Sequence, residues 1–80
     1  MQIEIARHIA RAAFSCTREL GDLVPFLKEH LNADEYPSYA KALASAICAI
    51  QREILDKLEA DHPALKAEIE ASMRKYERYL

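Results

Sequence analysis

The segment from Tyr39 to Ala60 has small or apolar residues on two opposite sides of a predicted helix, and no other feature constrains the fold as much. At about 100° per residue, one broad arc is apolar, and the opposite side is alanine and serine where a solvated helix normally carries charges. The apolar arc consists of Ala40, Leu43, Ala44, Ile47, Ile50, Ile54, Leu55 and Leu58, and the opposite side of Ala42, Ser45, Ala46 and Ala49. Such a helix suits a central position, either within a bundle or at a contact between subunits.

The composition is that of a helical protein. Of the 80 residues, 51% are hydrophobic and only one is glycine, and alanine, leucine, glutamate, lysine and arginine dominate. We expect one domain over residues 1–80, near the size at which a single hydrophobic core is only just sufficient.

The single glycine and the three prolines divide the chain into four predicted helices. Gly21 suits the residue after a helix C-terminus, whereas Pro25, Pro37 and Pro63 are tolerated in a first turn, where the amides have no intrahelical partner. The predicted helices run from about Ile3 to Leu20, from Asp22 to Leu31, from Asp34 to Asp61, and from Pro63 to Leu80. Short connections favour antiparallel neighbours. The expected fold is all-α, a small antiparallel helical bundle of three long helices plus one short helix.

Apolar periodicity predicts which faces form the core. The predicted core face of the first helix is Ile5, Ile9, Ala12, Ala13, Cys16 and Leu20, and that of the last is Leu65, Ile69, Met73, Tyr76 and Leu80. Cys16 and Cys48 have no partner at a metal or redox spacing, so we expect two buried thiols in a reducing compartment. His30 is expected to be partly buried near a helix C-terminus. Gln51 interrupts the apolar arc, and the sequence leaves its environment open.

No residue pattern indicates catalysis. A chain with one glycine has no glycine-rich phosphate loop, and no serine or cysteine has a histidine at a motif spacing. The three histidines form no metal-ligand pattern. We therefore predict that the chain is not an enzyme and has no cofactor, no metal site and no catalytic residue.

Two patches are candidate protein interfaces. The first lies on the first helix, where three arginines flank a small residue and an aromatic, and the second is the small-residue side of the third helix. The candidate residues are Arg7, Ala10, Arg11, Phe14, Arg18, Ala42, Ala46 and Ala49. Two alternatives stay open. The first patch could be a solvated basic edge with Phe14 covered within the chain, and the alanines could serve helix propensity alone.

The expected function is protein–protein contact, most directly self-association into a homodimer. One alternative is an adaptor or chaperone that binds an amphipathic helix of another protein. Another is a helix-turn-helix DNA-binding regulator, although Lys41 is the only candidate for base contacts and the net charge is −2, which makes nucleic acid an unfavourable partner. No apolar run is long enough to cross a membrane, and we expect a cytoplasmic protein.

The two halves of the chain show a weak similarity at an offset of 34 residues. This offset lays Ala6 to Asp22 on Ala40 to Asp56 and aligns several alanines and charged residues. A duplicated helical hairpin is therefore an open alternative.

Overall fold

Three helical rods contain most of the chain, and the structure, a computed structural model, describes all of residues 1–80. The first rod is α1, Ile3–His30. The second is continuous and consists of α2, Tyr36–Ile50, a π-helical turn, Gln51–Leu55, and α3, Asp56–Asp61. The third is α4, Pro63–Tyr76. There is no strand, so the predicted all-α class is confirmed.

The separate short helix predicted after Gly21 is wrong, because α1 continues through Gly21 and Pro25 to His30. Gly21 does not adopt a positive φ angle. A proline inside a helix removes one hydrogen bond and costs about 3 kcal/mol. The half-buried Leu20, Val24 and Leu27 lie on this part of α1, which packs along α2. Their packing therefore outweighs the two local signals that predicted a helix end.

Asn32 organises the connection between α1 and α2. Its side-chain Oδ1 accepts hydrogen bonds from the backbone amides of Asp34 at 2.9 Å and Glu35 at 2.8 Å. The amide of Tyr36 donates to the Asn32 carbonyl at 3.0 Å, which starts α2. Asn32 thus stabilises this turn, and α2 begins at Tyr36, two residues after the predicted start at Asp34.

A π-helical turn changes which residues of the second rod face inward. The backbone amide of Asp56 donates to the carbonyl of Gln51, five residues earlier, so this turn holds one residue more than an α-helical turn. As a result Leu55 is fully buried, whereas Ile54, predicted to lie in the apolar arc, is 38% exposed. Gln51 lies at the surface, where its amide donates to Asp56 Oδ1 at 3.3 Å.

The hydrophobic core occupies one end of the molecule. The eight buried residues are Ala6, Ala10, Ala13, Leu55, Leu58, Leu65, Ile69 and Tyr79. None of residues 14–54 is buried. We call the end that contains the core the base, and the two-helix remainder, residues 14–54, the arm. The molecule measures 46 × 24 × 16 Å, with a radius of gyration of 14.9 Å. A compact chain of this length has a radius of gyration of about 12 Å.

The last helix buries only the first half of its predicted stripe. Leu65 and Ile69 are buried, whereas Met73, Tyr76 and Leu80 are exposed. Glu77 adopts a left-handed conformation, with φ 61°, and ends α4 before Leu80. The chain then turns back, and Tyr79 enters the core instead.

Two further features of the structure bear on the possible repeat and on membrane insertion. The 34-residue offset pairs Ala10, which is fully buried, with Ala44, which is exposed, so these matched positions do not share an environment. No helix combines the length and the hydropathy that a membrane span requires.

Candidate interaction surface

The face of α1 that enters the core is not the face that its hydrophobic pattern predicts. Ala6, Ala10 and Ala13 are buried, and Ala13 is the only one of these that belongs to the predicted face. In the rest of that face, Ile5, Ala12 and Cys16 are exposed, and Ile9 and Leu20 are half-buried. The alanines allow the other helices to approach α1 closely at the base. The prediction for the core of α1 is therefore corrected by about a quarter of a helical turn.

The ion pair between Arg7 and Glu68 and a hydrogen bond from the Tyr79 hydroxyl connect α4 and the segment after it to the side of α1 that carries the arginines. Arg7 Nε donates to Glu68 Oε1 at 3.0 Å and to Oε2 at 3.2 Å, and the Tyr79 hydroxyl donates to Glu68 Oε1 at 3.0 Å. The hydrogen bond from Arg7 lowers the pKa of Glu68 most, and the bond from Tyr79 lowers it further, against the opposing effect of desolvation. Burial, followed by the hydrogen bond to Glu68, raises the pKa of Tyr79.

The segment after α4 covers the aromatic part of the same side. The ring centroid of Tyr79 lies 5.9 Å from that of Phe14, and the guanidinium of Arg11 lies 5.1 Å from the Tyr79 ring centroid. Arg11 also donates to the Leu80 carbonyl at 3.3 Å. The Ser72 hydroxyl fixes the turn, because it donates to the Arg78 carbonyl at 2.7 Å and accepts from the Leu80 amide at 3.0 Å.

These contacts change the first candidate interface. Ala10 is fully buried, Arg7 is paired, and Phe14 is half-buried against the chain's own Tyr79. Tyr79 therefore covers part of Phe14 within the chain, and the role of this patch in an interface stays a prediction. Arg18 stays exposed beside a shallow depression that Ile47 and Met73 also line.

The second candidate interface is accessible. Ala42 and Ala46 are exposed and Ala49 is half-buried, and the nearby Tyr39 is 57% exposed. No other segment of the chain covers Ala42 or Ala46. Their role in an interface stays a prediction.

The exposed stripe of α1 and the alanines of α2 belong to one surface. On each helix, these residues are rotated by about 100° about the helix axis from the line of residues that contact the other helix. The rotation has the same sense on both helices when each is viewed from its N-terminus to its C-terminus. Because the helices are antiparallel, this places them on one side of the pair, opposite the side that α4 covers. We call this surface the uncovered face, and it consists of Ile5, Ile9, Ala12, Cys16, Leu23, Ala42, Ala46 and Ile54.

An apolar depression of about 220 Å³ lies at the base end of the uncovered face. Met1, Ile9, Ile54 and Leu58 line it, with Glu53, Lys57 and Asp61 at its rim. The π-helical turn contributes to this hollow, because it turns Ile54 out of the core. The sequence did not predict this feature, since an α-helical register places Ile54 inside.

The cysteines and His30 are less buried than predicted. Cys16 and Cys48 are both exposed free thiols. Helical periodicity places Cys16 on the uncovered face and Cys48 on the opposite side of the helix pair. His30 is exposed, and its ring lies 4.4 Å from that of Phe26. The correction for Cys16 has the same cause as that for Ile5, namely the rotated core face of α1. No group of three or more His, Cys, Asp or Glu side chains is placed to hold a metal ion.

The comparisons with known proteins give no family for this chain. No protein-family model matches it, and neither a curated protein nor a solved structure is significantly similar to it.

Proposed function

We propose that this protein acts through protein–protein contact, as a homodimer in which the uncovered faces of two copies pack together. The observation that carries the proposal is the exposure of the predicted core face of α1. Ile5, which belongs to that predicted face, is 52% exposed, and Leu23, which continues the same stripe along α1, is 42% exposed. A second copy would provide the apolar environment that the protomer lacks.

The surface area is sufficient for one interface of standard size. The accessible surface is 5816 Å² for a mass of 9.1 kDa. A folded monomer of this mass exposes about 4,900 Å². The excess of about 900 Å² is close to the roughly 800 Å² that each partner buries in a standard interface.

The arm also lacks a packing layer. Two helices in contact along one line bury few side chains, and stable helical domains place further helices over both (as four-helix bundles do). In this protein α4 covers the pair only at the base, because it ends at Tyr76. The α1 and α2 helices of a second copy would supply the missing layer over the arm.

The spacing along the uncovered stripe of α1 is that of a helix–helix seam. Intervals of four and three residues alternate through Ile5, Ile9, Ala12, Cys16, Glu19, Leu23 and Phe26. Alternating intervals of four and three residues are the spacing of the contact residues where two long helices pack along their length. Glu19 is the only charged residue in it, so two copies of the stripe meet with little electrostatic repulsion.

Light scattering after size exclusion, from low to high micromolar protein, tests the proposal. We expect a wild-type dimer whose dissociation constant rises about tenfold or more in Ala46→Glu, because a charge would be buried at the contact. Ala44→Glu is the matched control, since Ala44 is exposed on the other side of α2, and it should leave the dimer unchanged. A wild-type protein that stays monomeric at every concentration would overturn the proposal.

The two alternatives from the sequence stand differently. A monomer that instead binds an amphipathic helix from another protein through the uncovered face would favour the adaptor. The helix-turn-helix alternative has less support, because the short second helix that it needs is part of the 28-residue α1.

A further inference from the structure

We infer that the two copies pack antiparallel about a two-fold axis that passes close to Cys16 and Ala46, with Leu23 of each copy seated in the apolar depression of the other. This arrangement rests on the proposed self-association and specifies its geometry. It makes a four-helix layer in which α1 lies on the partner's α1 and α2 lies on the partner's α2.

Leu23 and the apolar depression at Ile9 are equally distant from Cys16 along α1. Leu23 protrudes from the arm seven residues after Cys16, and Ile9, in the depression, precedes Cys16 by seven residues. Each is therefore about 10 Å from Cys16 along the axis of α1. An axis across the helix at Cys16 carries Leu23 of one copy onto Ile9 of the other. The same operation repeats the contact at the other end, as a two-fold interface requires.

The same axis gives the longest contact between the two α1 helices. The midpoint of Ile3–His30 falls between Cys16 and Thr17, so an antiparallel pair centred there overlaps over its whole length. Ala12 and Cys16 are small residues near this centre, and they allow the two helices to approach closely. The bulkier Ile5, Ile9 and Leu23 lie toward the ends of the seam.

The alanine side of α2 lies at the same level as this axis. Thr17 of α1 and Ile47 of α2 line one depression on the side that α4 covers, so residues 16–17 and 46–47 are at the same height along the helix pair. Ala46 therefore meets its own copy near the axis. The close approach that Ala42 and Ala46 permit is then used between the two α2 helices.

A two-fold axis parallel to the helices is the competing arrangement. It would place the arm of one copy on the arm of the other, with α1 over the partner's α2. The depression at Ile9 would then face the partner's own depression at Ile54 and stay unfilled. The side chains that line an unfilled void lack packing partners on one side, which costs van der Waals energy. The antiparallel arrangement avoids this cost, because Leu23 of the partner fills the depression.

Disulfide trapping with the two native cysteines separates these arrangements. Cys48→Ser leaves only Cys16, and Cys16→Ser leaves only Cys48, and both thiols are exposed. Each variant is treated with diamide, which oxidises two thiols to a disulfide, and covalent dimer is followed on non-reducing gels. Two cysteines form a disulfide when their Cα atoms lie within about 7 Å.

We expect the variant that retains Cys16 to form covalent dimer at least about tenfold faster than the variant that retains Cys48, because only Cys16 meets its own copy. Light scattering on the same samples under reducing conditions reports whether a dimer is present at all. A dimer in which Cys16 gives no faster trapping than Cys48 would overturn the antiparallel arrangement and leave self-association standing. A monomer under reducing conditions would overturn both.

Discussion

The hydroxyl of Tyr79 and the guanidinium of Arg7 both donate to the carboxylate of Glu68, at 3.0 Å for the shortest contact of each. One acidic side chain on α4 thereby connects the start of α1 to the segment that follows α4. Tyr79 is also the only buried residue outside the helices. The segment after Tyr76 is thus part of the core, and it covers the side of α1 that lies opposite the uncovered face.

Replacement of Tyr79 should destabilise the base strongly. We expect Tyr79→Ala to lower the free energy of unfolding by about 3 kcal/mol or more, because it removes a buried aromatic ring. Tyr79→Phe should cost about 1 kcal/mol, since it removes the bond to Glu68 and keeps the ring. Chemical denaturation measures both. Tyr76→Ala is the control, because Tyr76 is 50% exposed, and a loss equal to that of Tyr79→Ala would contradict this account.

The ion pair of Glu68 should make the stability depend on pH in the acidic range. Its pKa is lowered in the folded protein, mainly by the hydrogen bond from Arg7. The ionised carboxylate therefore stabilises the fold above the carboxyl pKa of the unfolded chain, and this contribution is lost as the pH falls through the lowered folded pKa.

Urea denaturation of wild type and Glu68→Gln, repeated from neutral to acidic pH, measures this contribution. The wild type should be the more stable at neutral pH, and the difference should shrink as the pH falls. Glu70→Gln is the matched control on α4, because Glu70 is exposed and its carboxylate makes no hydrogen bond. A difference for Glu68→Gln that is constant with pH would show that the carboxylate's charge does not stabilise the base.

Gly21→Ala should stabilise the protein. Gly21 lies inside α1 without a positive φ angle, and a Cβ atom built there has no neighbour within 4 Å. Alanine lowers the entropy of the unfolded chain and favours the helix by about 0.5–1 kcal/mol. Thermal unfolding should show a Tm higher by several degrees. If Gly21 instead ended the helix in a left-handed conformation, as the sequence suggested, alanine would lower the Tm.

The sequence was sufficient for the fold class, which follows from helical periodicity and composition, but it left open whether the chain itself covers Ala42 and Ala46. It was not sufficient for the side of α1 that enters the core. That choice depends on Tyr79, which lies far along the chain and packs on Phe14 only after Glu77 reverses the backbone. The π-helical turn also escaped prediction, since Ile54 and Leu55 are both apolar and the sequence therefore fits either register.

The additional residue of the π-helical turn leads to a prediction about deletions. Removal of the exposed Arg52 should convert Gln51–Leu55 to an α-helical turn and keep Leu55 and Leu58 in the core, so the loss of stability should stay within about 1 kcal/mol. Removal of the exposed Lys41 from the regular helix α2 is the control. It should rotate the N-terminal part of α2 away from α1 and destabilise the arm. Equal damage from both deletions, measured by circular dichroism during urea denaturation, would contradict this role of the turn.

The two exposed thiols should respond differently to protein concentration. Cys16 lies on the uncovered face and Cys48 on the opposite side of the helix pair, so a dimer through the uncovered face shields only Cys16. We expect the rate at which a thiol reagent modifies Cys16 in Cys48→Ser to fall as the protein rises from low to high micromolar concentration, while Cys48 in Cys16→Ser reacts at a constant rate. Adding Ala46→Glu should restore fast modification of Cys16. A Cys16 rate that is independent of concentration in a sample shown to be dimeric would place the contact on another surface.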